Sequence, residues 1–146
     1  MKYQLIDQFI KEVKIQSFAN HQNLACCYGI FDNKEHIYMI LEYFEGGSLY
    51  EKIKKFHKDR KNCSKPLEED DEAKFRSYIK QTCESLAYLH KNGIYHRDIK
   101  PENILFASEN ICKLADFGCA TTFKVSDEGE EERRHTLCGT FDYSAP

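Results

Sequence analysis

The chain has 146 residues, which is enough to bury the core of one ordinary domain. Its formal net charge of −3 comes from interspersed acidic and basic residues, so we expect no nucleic-acid partner. No apolar run approaches the roughly 20 residues that span a bilayer, and the N-terminus lacks a signal-peptide pattern, so we expect no membrane association and a cytoplasmic or nuclear location.

The first predicted elements are a helix and a hairpin. Residues 5–18 place apolar side chains at helical spacing, which predicts a short amphipathic helix. Residues 24–31 and 37–44 are runs of β-branched and aromatic residues on either side of the turn-rich residues 32–35. This pattern predicts a β-hairpin, which ends at Gly46-Gly47.

Two further helices are predicted in the middle of the chain. Ser48 and Glu51 have the spacing of a capping box, which predicts the start of a short helix. Residues 57–65 are basic and without periodicity, so we expect a loop there. The acidic residues 68–72 suit the first turn of a long helix that stops at Asn92-Gly93. Its predicted apolar stripe is Phe75, Ile79, Cys83, Leu86 and Leu89.

A second hairpin and seven cysteines are further features of the chain. Residues 104–106 and 111–114 flank a polar turn, which predicts the hairpin. The cysteine count is odd and no C-x-x-C pair occurs, so neither a disulfide framework nor a zinc site is indicated. We therefore expect reduced thiols, mostly buried, at Cys26, Cys27, Cys63, Cys83, Cys112, Cys119 and Cys138.

The polar sequence between the long helix and the second hairpin has the groups that phosphoryl transfer requires. Residues 96–103 read His-Arg-Asp-Ile-Lys-Pro-Glu-Asn, and Asp116-Phe117-Gly118 follows the hairpin. In this chemistry one carboxylate orients the attacking hydroxyl, while a second carboxylate and an asparagine hold Mg²⁺. Those roles fall on Asp98, Asp116 and Asn103. Asp-Phe-Gly alone would be an ordinary turn, but its order after His-Arg-Asp and before Cys138-Gly139-Thr140 favours catalysis.

These motifs resemble protein kinases, most of all the Aurora family of serine/threonine kinases. The resemblance rests on residues 12–17, 41–43, 115–118 and 133–143, although Cys119 stands where Aurora kinases have tryptophan. It implies an α+β, protein-kinase-like bilobal fold that is incomplete in this chain. Residues 1–44 would be a small-lobe remnant with the hinge, and residues 45–146 a large-lobe portion with the catalytic loop and activation segment.

The resemblance also implies ATP and Mg²⁺ as cofactors. Asp98, Lys100, Asn103 and Thr140 would be catalytic, with Lys100 neutralising the transferred phosphoryl group and Thr140 bridging Asp98 and Lys100. Asn103 and Asp116 would bind the metal. The residues implied at the nucleotide are Leu41, Glu42, Phe44, Lys100, Glu102, Asn103 and Asp116. In the same strand, Ile40, Leu41 and Tyr43 are explained equally well as core.

Three residues have implied regulatory roles. Glu12 resembles the helix glutamate that pairs with a strand lysine in active kinases, and no such lysine is found upstream of it. Arg97 would capture a phosphate on Thr136. Thr121, Thr122 and Ser126 are competing phosphate sites, but only Thr136 has the family's spacing to Cys138-Gly139-Thr140.

The implied partners are protein substrates with serine or threonine. Glu102 resembles the acid that, in basophilic kinases, contacts an arginine two residues before the target hydroxyl. Arg134 stands two residues before Thr136, so a second molecule of the same kinase is a possible activator. The alternative for Arg133-Arg134 is charge balance against the acidic residues 130–132.

Two function classes remain open. The first is an ATP-dependent serine/threonine protein kinase of Aurora-like type, represented by a truncated catalytic domain. The second is a catalytically inactive kinase fragment or a pseudokinase-like binding module. The strand lysine and the glycine-rich loop are not found in the sequence, and this favours the second class. The first class is favoured by the intact Asp98, Lys100, Asn103 and Asp116.

Overall fold

The structure is a computed structural model that describes residues 2–60, 68–123 and 138–143, with side chains from residue 9 onward. Its helices are α1 (Lys2–Phe18), α2 (Leu49–Arg60) and α3 (Glu69–Lys91), with single-turn 3₁₀ helices at Pro101–Asn103 and Phe141–Tyr143. Its strands are β1 (Cys27–Asp32), β2 (Ile37–Leu41), β3 (Ile94–Tyr95), β4 (Ile104–Phe106), β5 (Cys112–Leu114) and β6 (Thr121–Thr122). This combination of helices and small sheets confirms the predicted α+β class. No helix in the described ranges is long and apolar enough to cross a membrane.

Both predicted hairpins form as antiparallel strand pairs. β1 pairs with β2, and β4 pairs with β5 in the register Ile104 to Leu114. The first hairpin is shorter than predicted, because β1 begins at Cys27 and β2 ends at Leu41. Leu24 instead makes an isolated bridge to Leu114 and is only 2% exposed. The residues before β1 therefore join the two hairpins rather than lengthen the first one.

The capping box at the start of α2 forms as predicted. The Ser48 backbone N–H donates to Glu51 Oε2 at 2.9 Å, and the Glu51 N–H donates to Ser48 Oγ at 3.2 Å. The predicted loop 57–65 is wrong in its first residues, because α2 continues to Arg60. Phe56 packs edge-on against Phe75 of α3 at 5.5 Å, and the Arg60 guanidinium lies over the Phe56 ring. With these contacts α2 continues beyond Phe56, the last apolar residue of the predicted helix.

The buried face of α3 differs from the predicted stripe. Ile79 is 64% exposed and Cys83 is also exposed, whereas Tyr78, Ser85 and Leu89 are buried. Tyr78 packs edge-on against Phe106 of β4 at 4.8 Å, and its hydroxyl donates to the Glu109 carbonyl. Contact with the second hairpin therefore buries the aromatic Tyr78, whose polar tip finds a partner there, and leaves the aliphatic Ile79 exposed.

The core lies where α1 and α3 meet the two later sheets. Its most fully buried apolar side chains are Leu24, Leu89, Phe106, Leu114 and Phe117. These residues come from the bridge before β1, the long helix, the second hairpin and the Asp-Phe-Gly motif. The core thus packs directly beneath the polar residues of the loop between β3 and β4.

Candidate active site

His96 anchors the loop between β3 and the first 3₁₀ helix. It is 1% exposed, and its Nε2 lies 3.0 Å from the Ala115 carbonyl oxygen. A carbonyl only accepts, so the proton lies on Nε2, and Nδ1 accepts the backbone N–H of Asp98 at 3.4 Å. Burial lowers the pKa of His96, which keeps the ring neutral. The neutral ring therefore ties the Asp98 loop to the segment that leads into Asp116.

Arg97 turns the backbone sharply at the next position. Its φ is 65°, a left-handed value that is uncommon for a residue with a Cβ. The Arg97 carbonyl oxygen faces Gly139, where an added Cβ would collide with it. Gly139 itself has φ 105°, so only glycine fits this close approach without strain.

Three predicted catalytic residues donate hydrogen bonds to the carboxylate of the fourth, Asp98. Lys100 Nζ donates to Asp98 Oδ2 at 2.8 Å, and Asn103 Nδ2 donates to the same oxygen at 3.1 Å. Thr140 donates to Asp98 Oδ1 from both its backbone N–H, at 3.0 Å, and its hydroxyl, at 2.8 Å. Lys100 Nζ also donates to the Thr140 hydroxyl oxygen at 2.9 Å. The structure therefore places Thr140 between Asp98 and Lys100, the position that the resemblance to kinases implies.

These donors determine the protonation state of the site. Burial by itself raises the pKa of Asp98, but hydrogen bonds from Lys100, Thr140 and Asn103 outweigh it and lower the pKa below its usual value. The hydrogen bond to Asp98 raises the pKa of Lys100 despite its partial desolvation. At neutral pH the site therefore holds a carboxylate and an ammonium in contact, which is the pair that hydroxyl orientation and phosphoryl charge require.

A backbone hydrogen bond brings Asp116 next to this cluster. The Ala115 N–H donates to the Asn103 carbonyl at 2.9 Å, which brings the Asp-Phe-Gly segment next to the catalytic loop. Asp116 is exposed and has a φ of 65°. Its Oδ1 accepts a hydrogen bond from the Gly118 N–H at 3.2 Å. The Glu12 carboxylate lies near the same segment, since Glu12 Oε2 would be 3.7 Å from a Cβ added at Gly118. Burial and then the charge of Asp116 raise the pKa of Glu12.

The donor set of this site fits Mg²⁺. Both Asn103 hydrogen bonds to Asp98 use the amide nitrogen, which turns the amide oxygen away from Asp98. Asp116 supplies exposed carboxylate oxygens nearby. Oxygen ligands are what Mg²⁺ prefers, and it is usually held by one or two protein groups plus substrate phosphates. The described residues contain no cluster of three or more histidine, cysteine, aspartate or glutamate side chains suited to a metal.

The predicted hinge residues lie at the end of β2 and directly after it. The Glu42 N–H donates to the Cys26 carbonyl at 2.9 Å, and Leu41 is 42% exposed while Phe44 is half-buried. The Glu42 side chain binds Lys113 of β5 through both oxygens, at 2.7 and 2.8 Å. Sequence reasoning missed this ion pair. No local signal marks it, because the two residues belong to different hairpins.

The predicted regulatory residues are only partly within the described chain. Arg97 Nε donates to the Cys119 carbonyl at 2.7 Å, so this side chain points toward the segment after Asp-Phe-Gly. Thr136 and Arg134 lie outside the described residues. Glu102 is exposed on the 3₁₀ helix, and its charge contributes to the raised pKa of Lys100.

The expectation of reduced, mostly buried cysteines is wrong for this structure. Cys119 and Cys138 form a disulfide, and Cys83 is exposed. Cys26 and Cys27 are half-buried, Cys112 is buried, and Cys63 lies outside the described residues. The two bonded cysteines are 19 positions apart, and their pairing arises from folding of the segments around Asp98 rather than from any local motif.

Comparisons with known proteins agree with this geometry. The chain is 40% identical to an Aurora kinase of Saccharomyces cerevisiae over all 146 of its residues, which cover 35% of that protein. It is 39% identical to Aurora kinase A-A of Xenopus laevis over 95% of the chain and 30% of the relative. A probable serine/threonine-protein kinase, fhkC, of Dictyostelium discoideum is 38% identical over 96% of the chain and 21% of the relative.

The chain therefore spans about a third or less of the length of these curated relatives. A family model described as "Protein kinase domain" matches residues 1–146. This match covers every motif on which the resemblance to kinases rests. It shows that the chain belongs to the protein kinase family, among kinases of the serine/threonine type.

Proposed function

We propose that the protein containing this chain transfers the γ-phosphoryl group of ATP to serine or threonine hydroxyls of other proteins. The observation that supports this most directly is the meeting of Lys100, Asn103 and Thr140 on the Asp98 carboxylate. The three residues come from separate positions in the sequence, and together they keep Asp98 ionised. An ionised carboxylate can accept the proton of an attacking hydroxyl.

Each residue has a proposed role in the transfer. Asp98 orients the substrate hydroxyl and takes its proton, while Lys100 stabilises charge on the transferred phosphoryl oxygens. Thr140 holds both side chains in register through its hydroxyl. Asn103 and Asp116 would bind Mg²⁺, which when present neutralises charge on the nucleotide phosphates. Leu41, Glu42 and Phe44 would border the adenine, and Glu102 would lie near the sugar and the incoming peptide.

The proposed substrates follow from the same surface. We propose protein segments with an arginine two residues before the target hydroxyl, because Glu102 exposes a carboxylate beside Lys100. Residues 1–44 are proposed as the small-lobe part and residues 45–146 as the large-lobe part of the domain. The proposed location is cytoplasmic or nuclear, with neither nucleic acid nor membrane as a partner.

The second candidate is a catalytically inactive module that binds partners. It is favoured by Glu12, since within the described side chains no lysine or arginine forms an ion pair with this residue. The raised pKa of Glu12 agrees with a carboxylate near Asp116 and without a close cation. The two candidates differ in phosphotransfer, so a direct kinetic assay separates them.

The test compares Asp98→Asn and Asp116→Asn in the full-length protein. We expect Asp98→Asn to lower kcat at least about a hundredfold, the lower bound for one positioned acid-base group, with little change in ATP affinity. Asp116→Asn should also weaken Mg·ATP binding, measured by calorimetry, because it removes a metal ligand. Asp32→Asn is the matched control, since Asp32 is exposed at the end of β1. Equal, substantial activity in all three variants would refute the proposal.

A further inference from the structure

The disulfide Cys119–Cys138 lies at the junction of the two segments that surround Asp98. Its Cα atoms are 5.8 Å apart, within the usual range of disulfides. Both residues are half-buried rather than enclosed in the core. Asp116, the proposed metal ligand, lies three residues before Cys119.

One end of the bridge is attached to the catalytic loop. The Cys119 carbonyl accepts a hydrogen bond from Arg97 Nε at 2.7 Å. Arg97 directly precedes Asp98 and has a left-handed backbone conformation. The position of Cys119 is therefore coupled to the backbone turn that presents the Asp98 carboxylate.

The other end is attached to the residues that cover the same carboxylate. Cys138 precedes Gly139, which fits against the Arg97 carbonyl, and Thr140, which donates twice to Asp98 Oδ1. All of these contacts exist while the disulfide is formed. The bridge is therefore compatible with the assembled site and limits how far Thr140 can move away from Asp98.

We propose that Cys119 and Cys138 form a reversible disulfide that holds Thr140 on Asp98 and thereby raises the affinity for the protein substrate. This inference rests on the proposed kinase function. For an intracellular kinase a disulfide is typically transient and redox-sensing, because glutathione keeps most thiols reduced. Exposed disulfides are the labile, regulatory ones, and this bridge lies outside the core beside the reacting groups.

The oxidant is a small-molecule disulfide such as oxidised glutathione. A thiolate of one cysteine attacks it, forms a mixed disulfide and releases one molecule of reduced glutathione. The thiolate of the second cysteine then displaces a second glutathione and closes the bridge. In total the two cysteine thiols lose two electrons and two protons, and one glutathione disulfide gains them.

The effect must be reciprocal. If the bridge favours substrate binding by some factor, bound substrate peptide must make the bridge harder to reduce by the same factor. Couplings of this kind usually amount to about fivefold or more. Substrate should therefore shift the ratio of reduced to oxidised glutathione at which half of the protein is bridged.

The experiment equilibrates the full-length protein in glutathione buffers of stepped ratio, with and without a serine/threonine peptide that has arginine two residues before the acceptor. Non-reducing peptide mapping by mass spectrometry measures the Cys119–Cys138 linkage. Hydrogen exchange of residues 138–143 measures how firmly the segment is held, and steady-state kinetics measures KM and kcat for the peptide. The variants are Cys119→Ser, Cys119→Ala and Cys138→Ser. Cys83→Ser is the matched control, because Cys83 is exposed and free on α3.

We expect oxidation of the wild type to slow exchange at residues 138–143 and to lower the peptide KM about fivefold or more, with a smaller change in kcat. Cys83→Ser should respond in the same way, whereas the other variants should not respond. The proposal would be overturned if the Cys119–Cys138 linkage were not found at any glutathione ratio. It would also be overturned if the linkage formed but hydrogen exchange at residues 138–143 did not change. If exchange slows on oxidation but KM is unchanged or higher, the proposed gain in substrate affinity is wrong. A protein that links reversibly and slows exchange, yet phosphorylates nothing, would instead contradict the proposed kinase function.

Discussion

Asp98 is a buried carboxylate that stays ionised because its neighbours supply donors. It is 8% exposed, and burial alone would favour the protonated form. Donors from Lys100, Asn103 and Thr140 reverse that preference. The sequence spacing of the first two explains their presence near Asp98. Thr140, which is 42 positions away from Asp98, reaches it only through the fold.

Thr136 is predicted to be the activating phosphate site. The sequence places it two residues after Arg134, and Arg97 points toward the segment that begins at Cys119. Phosphate there would gain bidentate, charge-assisted hydrogen bonds. Mass spectrometry of the active protein should find phosphate on Thr136, and Thr136→Ala should lower activity at least about fivefold, the lower end of regulatory couplings.

Thr122→Ala is the matched control for Thr136→Ala, because Thr122 is exposed on β6 whereas Thr121 is only 6% exposed. The control should keep its activity. Unchanged activity in Thr136→Ala, with phosphate only on Thr121 or Thr122, would contradict the prediction.

The burial of His96 predicts that folding stability depends on pH. Its pKa is lowered in the folded state by burial, so the unfolded chain binds a proton more readily. Stability is therefore complete above the unfolded pKa of about 6.5 and falls as pH decreases from there toward the lower folded pKa. The melting temperature of the full-length protein should drop over this window. His96→Gln should flatten that drop while it lowers stability overall.

His36→Gln is the control for this pH effect, since His36 is exposed beside the first hairpin. It should melt with the wild-type pH profile. A wild-type profile in His96→Gln as well would mean that other groups cause the acid loss of stability.

At the scale of elements, the segment 138–140 depends on one glycine. Gly139 has φ 105°, and a Cβ there would collide with the Arg97 carbonyl. Strain of this kind costs about 1 to 3 kcal/mol, and each 1.4 kcal/mol of lost transition-state stabilisation is tenfold in rate. Gly139→Ala should therefore lower kcat/KM for a protein substrate by about tenfold, measured in the full-length protein.

Gly29→Ala provides the matched comparison for Gly139→Ala. A Cβ at Gly29 would only touch Ile40 Cδ1 at 3.9 Å, an ordinary contact, and its φ lies outside the left-handed range. We expect this variant to retain wild-type kinetics. Similar losses in both variants would show that the effect of Gly139→Ala is not specific to the contact with Arg97.

At the scale of the whole molecule, the first hairpin has little cover. Phe31, Ile37, Ile40 and Leu41 are all between 42% and 54% exposed. Fully burying one such side chain contributes roughly 1.5 to 3 kcal/mol, while total stability is usually only about 5 to 15 kcal/mol. A two-stranded hairpin is also marginal by itself in water. We therefore expect the isolated 146 residues to show no cooperative thermal transition, to bind apolar dyes and to phosphorylate nothing.

Calorimetry and dye fluorescence, together with a phosphotransfer assay, test this expectation, and the full-length protein is the control. A sharp melting transition with ATP-dependent phosphotransfer from the isolated chain would contradict it. Low dye binding by the isolated chain would also show that the exposed hairpin face is covered in solution.

The sequence by itself determined the parts of this protein that depend on local chemistry. The capping box of Ser48 and Glu51, both hairpins and the place of the long helix follow from residue spacing, because neighbouring residues satisfy each other's backbone groups. The kinase family also follows from sequence, since the chemistry of phosphoryl transfer requires a fixed set of residues around Asp98 and Asp116.

Only the tertiary structure decided which distant groups meet. The Cys119–Cys138 disulfide, the ion pair of Glu42 with Lys113 and the exposure of Ile79 all depend on elements far apart in the chain. Spacing within one element predicts which face is apolar, but the neighbouring element decides whether that face is covered. For the same reason Thr140 reaches Asp98 only after the chain has folded.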